Sequence, residues 1–83
     1  MIYSVYVLEC ADGTLYTGFT NNIKRRLFQH NHAKSGARYT KTHRPVVLKY
    51  TERFRTLKKA MQREYVLKQW SRKRKLVLIQ QEI

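Results

Sequence analysis

The amino-acid sequence predicts an α+β fold: a three-stranded antiparallel sheet with flanking helices, in the order β-β-α-β-α-α, with residues 1–83 forming one domain. Three observations lead there. Residues 2–9, 14–19 and 46–51 are short runs rich in β-branched and aromatic side chains, as strands are. Only Ala11-Asp12-Gly13, a turn sequence, separates the first two, which therefore form a hairpin. Segments beginning near Asn22, Thr56 and Arg72 carry apolar residues at helical spacing. A hydrophobic fraction of 42% over 83 residues suffices for one modest core and argues against disorder.

The hairpin admits two registers. A two-residue Asp12-Gly13 loop pairs Glu9 with Tyr16 and puts Tyr6 and Tyr16 on opposite faces. A three-residue loop, with Gly13 left-handed, pairs Leu8 with Tyr16 and Tyr6 with Gly18. The second is favoured: it puts both tyrosines on one face, and Gly18 leaves room beside Tyr6. A helix from Asn22 to about His32 follows, with Thr20 or Asn21 as its N-cap. On a wheel of about 100° per residue, Ile23 and Leu27 define its buried face. Arg26 and His30 flank that face one turn apart, and Arg25 points nearly opposite, toward solvent. A cation aimed inward needs a partner or an anion.

Residues 33–45 form a loop with four Lys or Arg residues and no acid. Val46 to Thr51 is the third strand. The second helix runs from about Thr56 to Trp70, with Leu57, Ala60 and Met61 as its apolar face. Ser71 caps the last helix, which packs through Leu76, Val77 and Ile79. Glu64 breaks the pattern, falling between Ala60 and Met61 at the centre of an apolar face. An i,i+4 ion pair with Lys68 is one explanation. The other is a carboxylate directed into a polar cleft, where it could hold a divalent cation. The remaining acids, Glu9, Asp12, Glu52 and Glu82, fall at strand ends, turns or the terminus.

Eighteen Lys and Arg against five acids give a formal charge of +13, which favours a polyanionic partner. Ten aromatic residues accompany that charge and suit nucleic-acid bases better than a membrane surface. One cysteine, Cys10, excludes an intrachain disulfide and suits a reducing compartment. No charged leader precedes an apolar run, and Val5–Leu8 and Leu76–Ile79 are far too short to span a bilayer. The expectation is a soluble, cytoplasmic protein with no membrane partner. Cys10, His30, His32 and His43 lack zinc-ligand spacing, and five scattered acids do not suit a two-metal centre. No glycine-rich phosphate loop or nucleophile triad is present. Trp70, ending a helix amid apolar neighbours, reads as core.

Ser4-Val5-Tyr6, then Tyr16-Thr17-Gly18, then Arg26-Leu27-x-x-His30-Asn31, then Glu64 resembles the GIY-YIG nuclease superfamily, particularly its small stand-alone bacterial branch. Gly36-Ala37-Arg38-Tyr39-Thr40 agrees as well, and the likeness covers essentially the whole chain. Ser4 and Thr17 depart from the two name-giving motifs at positions that do not carry the chemistry. The resemblance implies an endonuclease that hydrolyses phosphodiester bonds by a one-metal mechanism, in DNA repair or processing. Tyr6 would be the general base that activates water, or would pass its proton to a metal hydroxide, Arg26 would grip the scissile phosphate, and Tyr16 would hydrogen-bond the phosphate or the water. His30 would orient a neighbour or accept a proton, and Glu64 would hold Mg²⁺ or Mn²⁺. A free phenol, with a pKa near 10, is only about a thousandth ionised at pH 7. Surrounding cationic charge and a nearby divalent ion are expected to push Tyr6 toward ionisation. Lys34, Arg38, Tyr39, Lys41 and Arg44 are the candidates for the nucleic-acid path, DNA ahead of RNA, with a protein partner for targeting left open. The alternative is a non-catalytic nucleic-acid-binding module that keeps the fold.

Overall fold

The computed structural model describes residues 1–32 and 43–81. Strands β1 (Tyr3–Cys10), β2 (Leu15–Thr20) and β3 (Val46–Phe54) form one antiparallel sheet in the order β2-β1-β3. Helices α1 (Ile23–His32), α2 (Leu57–Lys68) and α3 (Arg72–Gln80) complete the predicted order. Among the described residues no helix is long and apolar enough to cross a membrane.

The hairpin has the three-residue register: Leu8 pairs with Tyr16 and Tyr6 with Gly18. Gly13 sits at φ +86°, where a side chain would be strained. The Asp12 carboxylate accepts from the Thr14 backbone N–H and hydroxyl, at 3.1 and 2.7 Å, which locks the turn. β3 is longer than expected and carries a bulge: Val7 faces Tyr50 while Leu8 faces Leu48. The extra residue, Lys49, resets the alternation of side chains. Leu48 therefore packs with Leu8, while Tyr50 lies across from Val7 on the opposite face.

Two cores result, one on each face. Tyr6, Leu8, Cys10 and Val46 are buried beneath Ile23 and Leu27 of α1. Val5 is buried on the other face with Ala60 and Leu67 of α2, joined by Trp70 and Leu78. The apolar face of α2 differs from the expectation. Leu57 and Met61 are 43% and 48% exposed, and Ala60 with Leu67 forms the seam. In α3 the exposed Val77 yields its expected place to Leu78. Trp70 is partly buried as expected, but its ring also lies under the guanidinium groups of Arg63 and Arg74, 5.2 and 4.0 Å from their carbons.

Caps fix the helix starts. Asn22, rather than Thr20 or Asn21, caps α1 by accepting from the Arg25 N–H at 3.1 Å. Thr56 and Ser71 do the same for Lys59 and Arg74. Glu52, expected at a strand end, lies within β3. It receives both arms of the Arg63 fork at 2.9 Å and the Tyr50 hydroxyl. That pair ties α2 to the sheet with bidentate geometry, which is stronger than a point-charge contact.

Candidate active site

Tyr6 is the centre of the site because β1 is the central strand and Tyr6 faces α1. Its ring is 1% exposed. Gly18, directly across on β2, makes that possible: a Cβ there would lie 2.5 Å from the Tyr6 hydroxyl oxygen and 2.7 Å from Cζ. The hairpin register puts Tyr16 on the same face, with ring centroids 6.4 Å apart. His30 closes the triangle, 5.8 Å from the Tyr6 ring and 5.2 Å from that of Tyr16. The Tyr6 hydroxyl and His30 Nε2 are 2.9 Å apart.

The helix delivers His30 because Asn31 and Arg44 fasten its C-terminal end. The Asn31 amide donates to the Val46 carbonyl at 3.1 Å and accepts from the Val46 N–H at 2.8 Å. It thus satisfies both backbone groups at the start of β3, a positioning role that only the adjacent motif letter hinted at. Arg44 donates to the backbone carbonyls of His30 and Gln29. A cation at the open carbonyls of a helix C-terminus is electrostatically favoured. Arg44, expected along a nucleic-acid path, is thus engaged in holding α1. Lys34, Arg38, Tyr39 and Lys41 lie outside the described residues.

Among the protein's own groups, electrostatics at the centre run against the expectation for Tyr6. Burial raises its phenol to about 12, although the nearby Arg26 guanidinium pulls the other way. Burial, then the charges of Arg26 and Arg44, push His30 down to about 4. His30 is therefore neutral at pH 7. A neutral imidazole whose Nε2 carries no proton accepts the Tyr6 O–H.

Tyr6, Tyr16, Gly18, Arg25, Arg26, Gln29 and Glu64 line one cleft of about 430 Å³. Arg26 donates to Gln29 Oε1 at 3.3 Å. Arg25 is exposed, as its place on the wheel predicts, and its long side chain also reaches the rim of the cleft. Glu64 arrives differently from the others. α2 packs on the opposite sheet face from Tyr6, and Glu64 reaches the cleft at β2, an outer strand of the sheet. Lys68 Nζ lies 3.6 Å from Glu64 Oε2, the i,i+4 pair expected, and Glu64 also lines the cleft.

Among the described residues no three His, Cys, Asp or Glu side chains cluster as a metal cage. The donor set nevertheless fits a hard cation such as Mg²⁺, which commonly takes one or two carboxylates and completes its shell with water and substrate phosphate. Glu64, with its side chain 18% exposed at the cleft, is the carboxylate in position for that.

Residues 2–76 match the family described as the GIY-YIG catalytic domain. A UPF0213 protein of Desulfotalea psychrophila is 53% identical over 75 residues, covering 90% of this chain and 68% of that protein. A UPF0213 protein of Staphylococcus haemolyticus is 51% identical and covers 93% of each. Among solved structures, the solution structure of a UPF0213 protein from Bacillus halodurans superposes with a TM-score of 0.61 at 40% identity. It covers 96% of this chain and 84% of that one. A second, from E. faecalis, gives a TM-score of 0.66 at 36% identity, covering 98% and 85%.

Proposed function

Since the chain belongs to the GIY-YIG family, we propose that it is a cytoplasmic endonuclease that hydrolyses nucleic-acid phosphodiester bonds with one divalent cation. The observation that carries this reading is the meeting of Tyr6, Tyr16, Arg26 and Glu64 in a single cleft. The formal charge of +13 supports a polyanionic substrate. DNA is the favoured substrate, and repair or processing the favoured setting.

Arg26 grips the scissile phosphate, its planar fork matching two phosphate oxygens and offsetting the charge that develops in the transition state. Arg25 at the rim draws in the strand. A phenol held at about 12 is ionised in only about one molecule in 10⁵ at pH 7, so Tyr6 does not act as a free phenolate. Its contact with His30 supplies another route. As water attacks phosphorus, the water proton passes to the Tyr6 oxygen while the Tyr6 proton moves to His30 Nε2. The bond from phosphorus to the leaving oxygen breaks. The incoming phosphate favours this relay, because its negative charge opposes the Arg26 charge that depresses His30. Tyr16 orients the water or a phosphate oxygen. Glu64 would hold Mg²⁺ or Mn²⁺, which when bound would stabilise charge on the leaving oxygen.

The test uses purified protein with branched, flapped and single-stranded DNA and RNA, in Mg²⁺ or Mn²⁺ and in chelator. Metal-dependent cutting of at least one substrate is expected. Tight binding with no cutting across the panel would favour the non-catalytic nucleic-acid-binding module instead.

A further inference from the structure

A second cleft, of about 300 Å³, adjoins the first and is lined by Leu15, Tyr16, Thr17, Lys68 and Lys75. Tyr16 belongs to both clefts, and the Glu64–Lys68 pair spans their shared wall. Lys75 is only 9% exposed, and among the described residues its ammonium has neither an ion pair nor a hydrogen bond. Burial holds it below the ordinary lysine value, and the Lys68 charge pushes the same way. Thr17 is 3% exposed, and among the described residues its Oγ1 is a buried side-chain oxygen with no hydrogen-bond partner.

Each of these groups is costly as it stands. A buried hydroxyl without a partner loses hydration with nothing in return, and the ammonium of a largely buried lysine without a counter-charge gives up part of its hydration. Methionine and valine would fill the same space without that cost. The two ammoniums are donors only, the hydroxyl can donate as well, and their three residues line one small cleft. The ligand that answers them is an oxyanion with several acceptor oxygens.

We propose that Lys68, Lys75 and Thr17 form a subsite for a backbone phosphate of the bound strand, next to the phosphate held by Arg26. This rests on the endonuclease reading and extends it. The strand then crosses the β2 side of the sheet past Tyr16, so one phosphate meets Arg26 and its neighbour meets the two lysines. The second contact fixes the register of the strand against Glu64 and Tyr6.

The test is fluorescence polarisation of a labelled oligonucleotide against full-length protein, in chelator and over a range of KCl. Lys75→Met keeps the stem and removes the charge. It should weaken binding roughly tenfold at low salt and lower the slope of log affinity against log salt by about 0.7 to 0.9. Its thermal midpoint should equal or exceed that of wild type, since an unpaired buried charge has gone. Thr17→Val should weaken binding less and leave the slope unchanged. Should Lys75→Met fail to fold, Lys68→Met and Thr17→Val carry the test.

Wild-type binding that Lys75→Met leaves unchanged in affinity and slope would overturn the subsite while leaving the endonuclease reading intact. Wild type that binds no oligonucleotide would overturn both. In a separate arm, inorganic phosphate alone is added during thermal unfolding. Stabilisation of wild type that Lys75→Met abolishes, with oligonucleotide binding unaffected, would reassign the site to free phosphate and overturn the backbone assignment.

Discussion

Gly18→Ala is the smallest change that should disable the site, because it adds one methyl group directly across the sheet from Tyr6. That carbon would lie 2.5 Å from the Tyr6 oxygen, 2.7 Å from Cζ and 3.3 Å from Tyr16 Cε2. Carbon contacts settle at about 3.5 Å or more, so the Tyr6 ring must retreat by about 1 Å. Such a shift disrupts the 2.9 Å contact between Tyr6 and His30. Overpacking costs about 1–3 kcal/mol and the lost hydrogen bond about 1 more. Replacing a strand glycine returns about 0.5–1 kcal/mol, leaving a net loss of about 1–3 kcal/mol. Displacement of a reacting group by about 1 Å can lower the rate by about 10²-fold. Cleavage would be followed by denaturing gel and stability by urea unfolding. Gly18→Ala that is as stable as wild type and cuts within about threefold of it would refute this reasoning.

Two further outcomes follow from the geometry around α1. Asn31→Ala removes two hydrogen bonds from the Val46 backbone and should cost about 2 kcal/mol, lowering the thermal midpoint by about 8–16 °C; an unchanged midpoint would mean that Asn31 does not pin the helix. His30 is fully buried, and its pKa falls from 6.5 to about 4 on folding. The unfolded chain therefore binds a proton that the folded chain refuses, and this contribution to stability is full above about pH 6.5 and lost as the pH falls through about 4. The slope in that window is about 1.4 kcal/mol per pH unit. Urea titrations of wild type and His30→Gln between pH 7 and 4 should diverge accordingly, and parallel curves would argue against a buried, neutral His30.

The parts legible in the sequence were those set by local chemistry. Ala11-Asp12-Gly13 supplies a left-handed glycine and an acid that caps its own turn, so the register followed, and with it the shared face of Tyr6 and Tyr16. Arg26 and His30 follow from helical spacing alone. What escaped depends on tertiary context. The Lys49 bulge changes which face Tyr50 occupies, and nothing local to a nine-residue strand announces it. α2 is apolar on more than one side, so the wheel could not tell the buried seam of Ala60 and Leu67 from the exposed Leu57 and Met61. Glu64 was visible as an acid among apolar residues, but its approach at the outer strand depends on where α2 sits. Among the protein's own groups burial outweighs the Arg26 charge at Tyr6 and raises its phenol, and burial is not written in composition.

The central claim is that Glu64 serves catalysis while the basic surface serves binding. The most direct measurement compares Glu64→Ala with wild type on one substrate that wild type cuts, recording cleavage in Mg²⁺ and binding in chelator. Cleavage should fall below detection while affinity stays within about twofold, because the metal carboxylate is lost and no phosphate contact is removed. Undiminished cleavage by Glu64→Ala, with only a drop in stability, would reduce Glu64 to its ion pair with Lys68 and contradict the account.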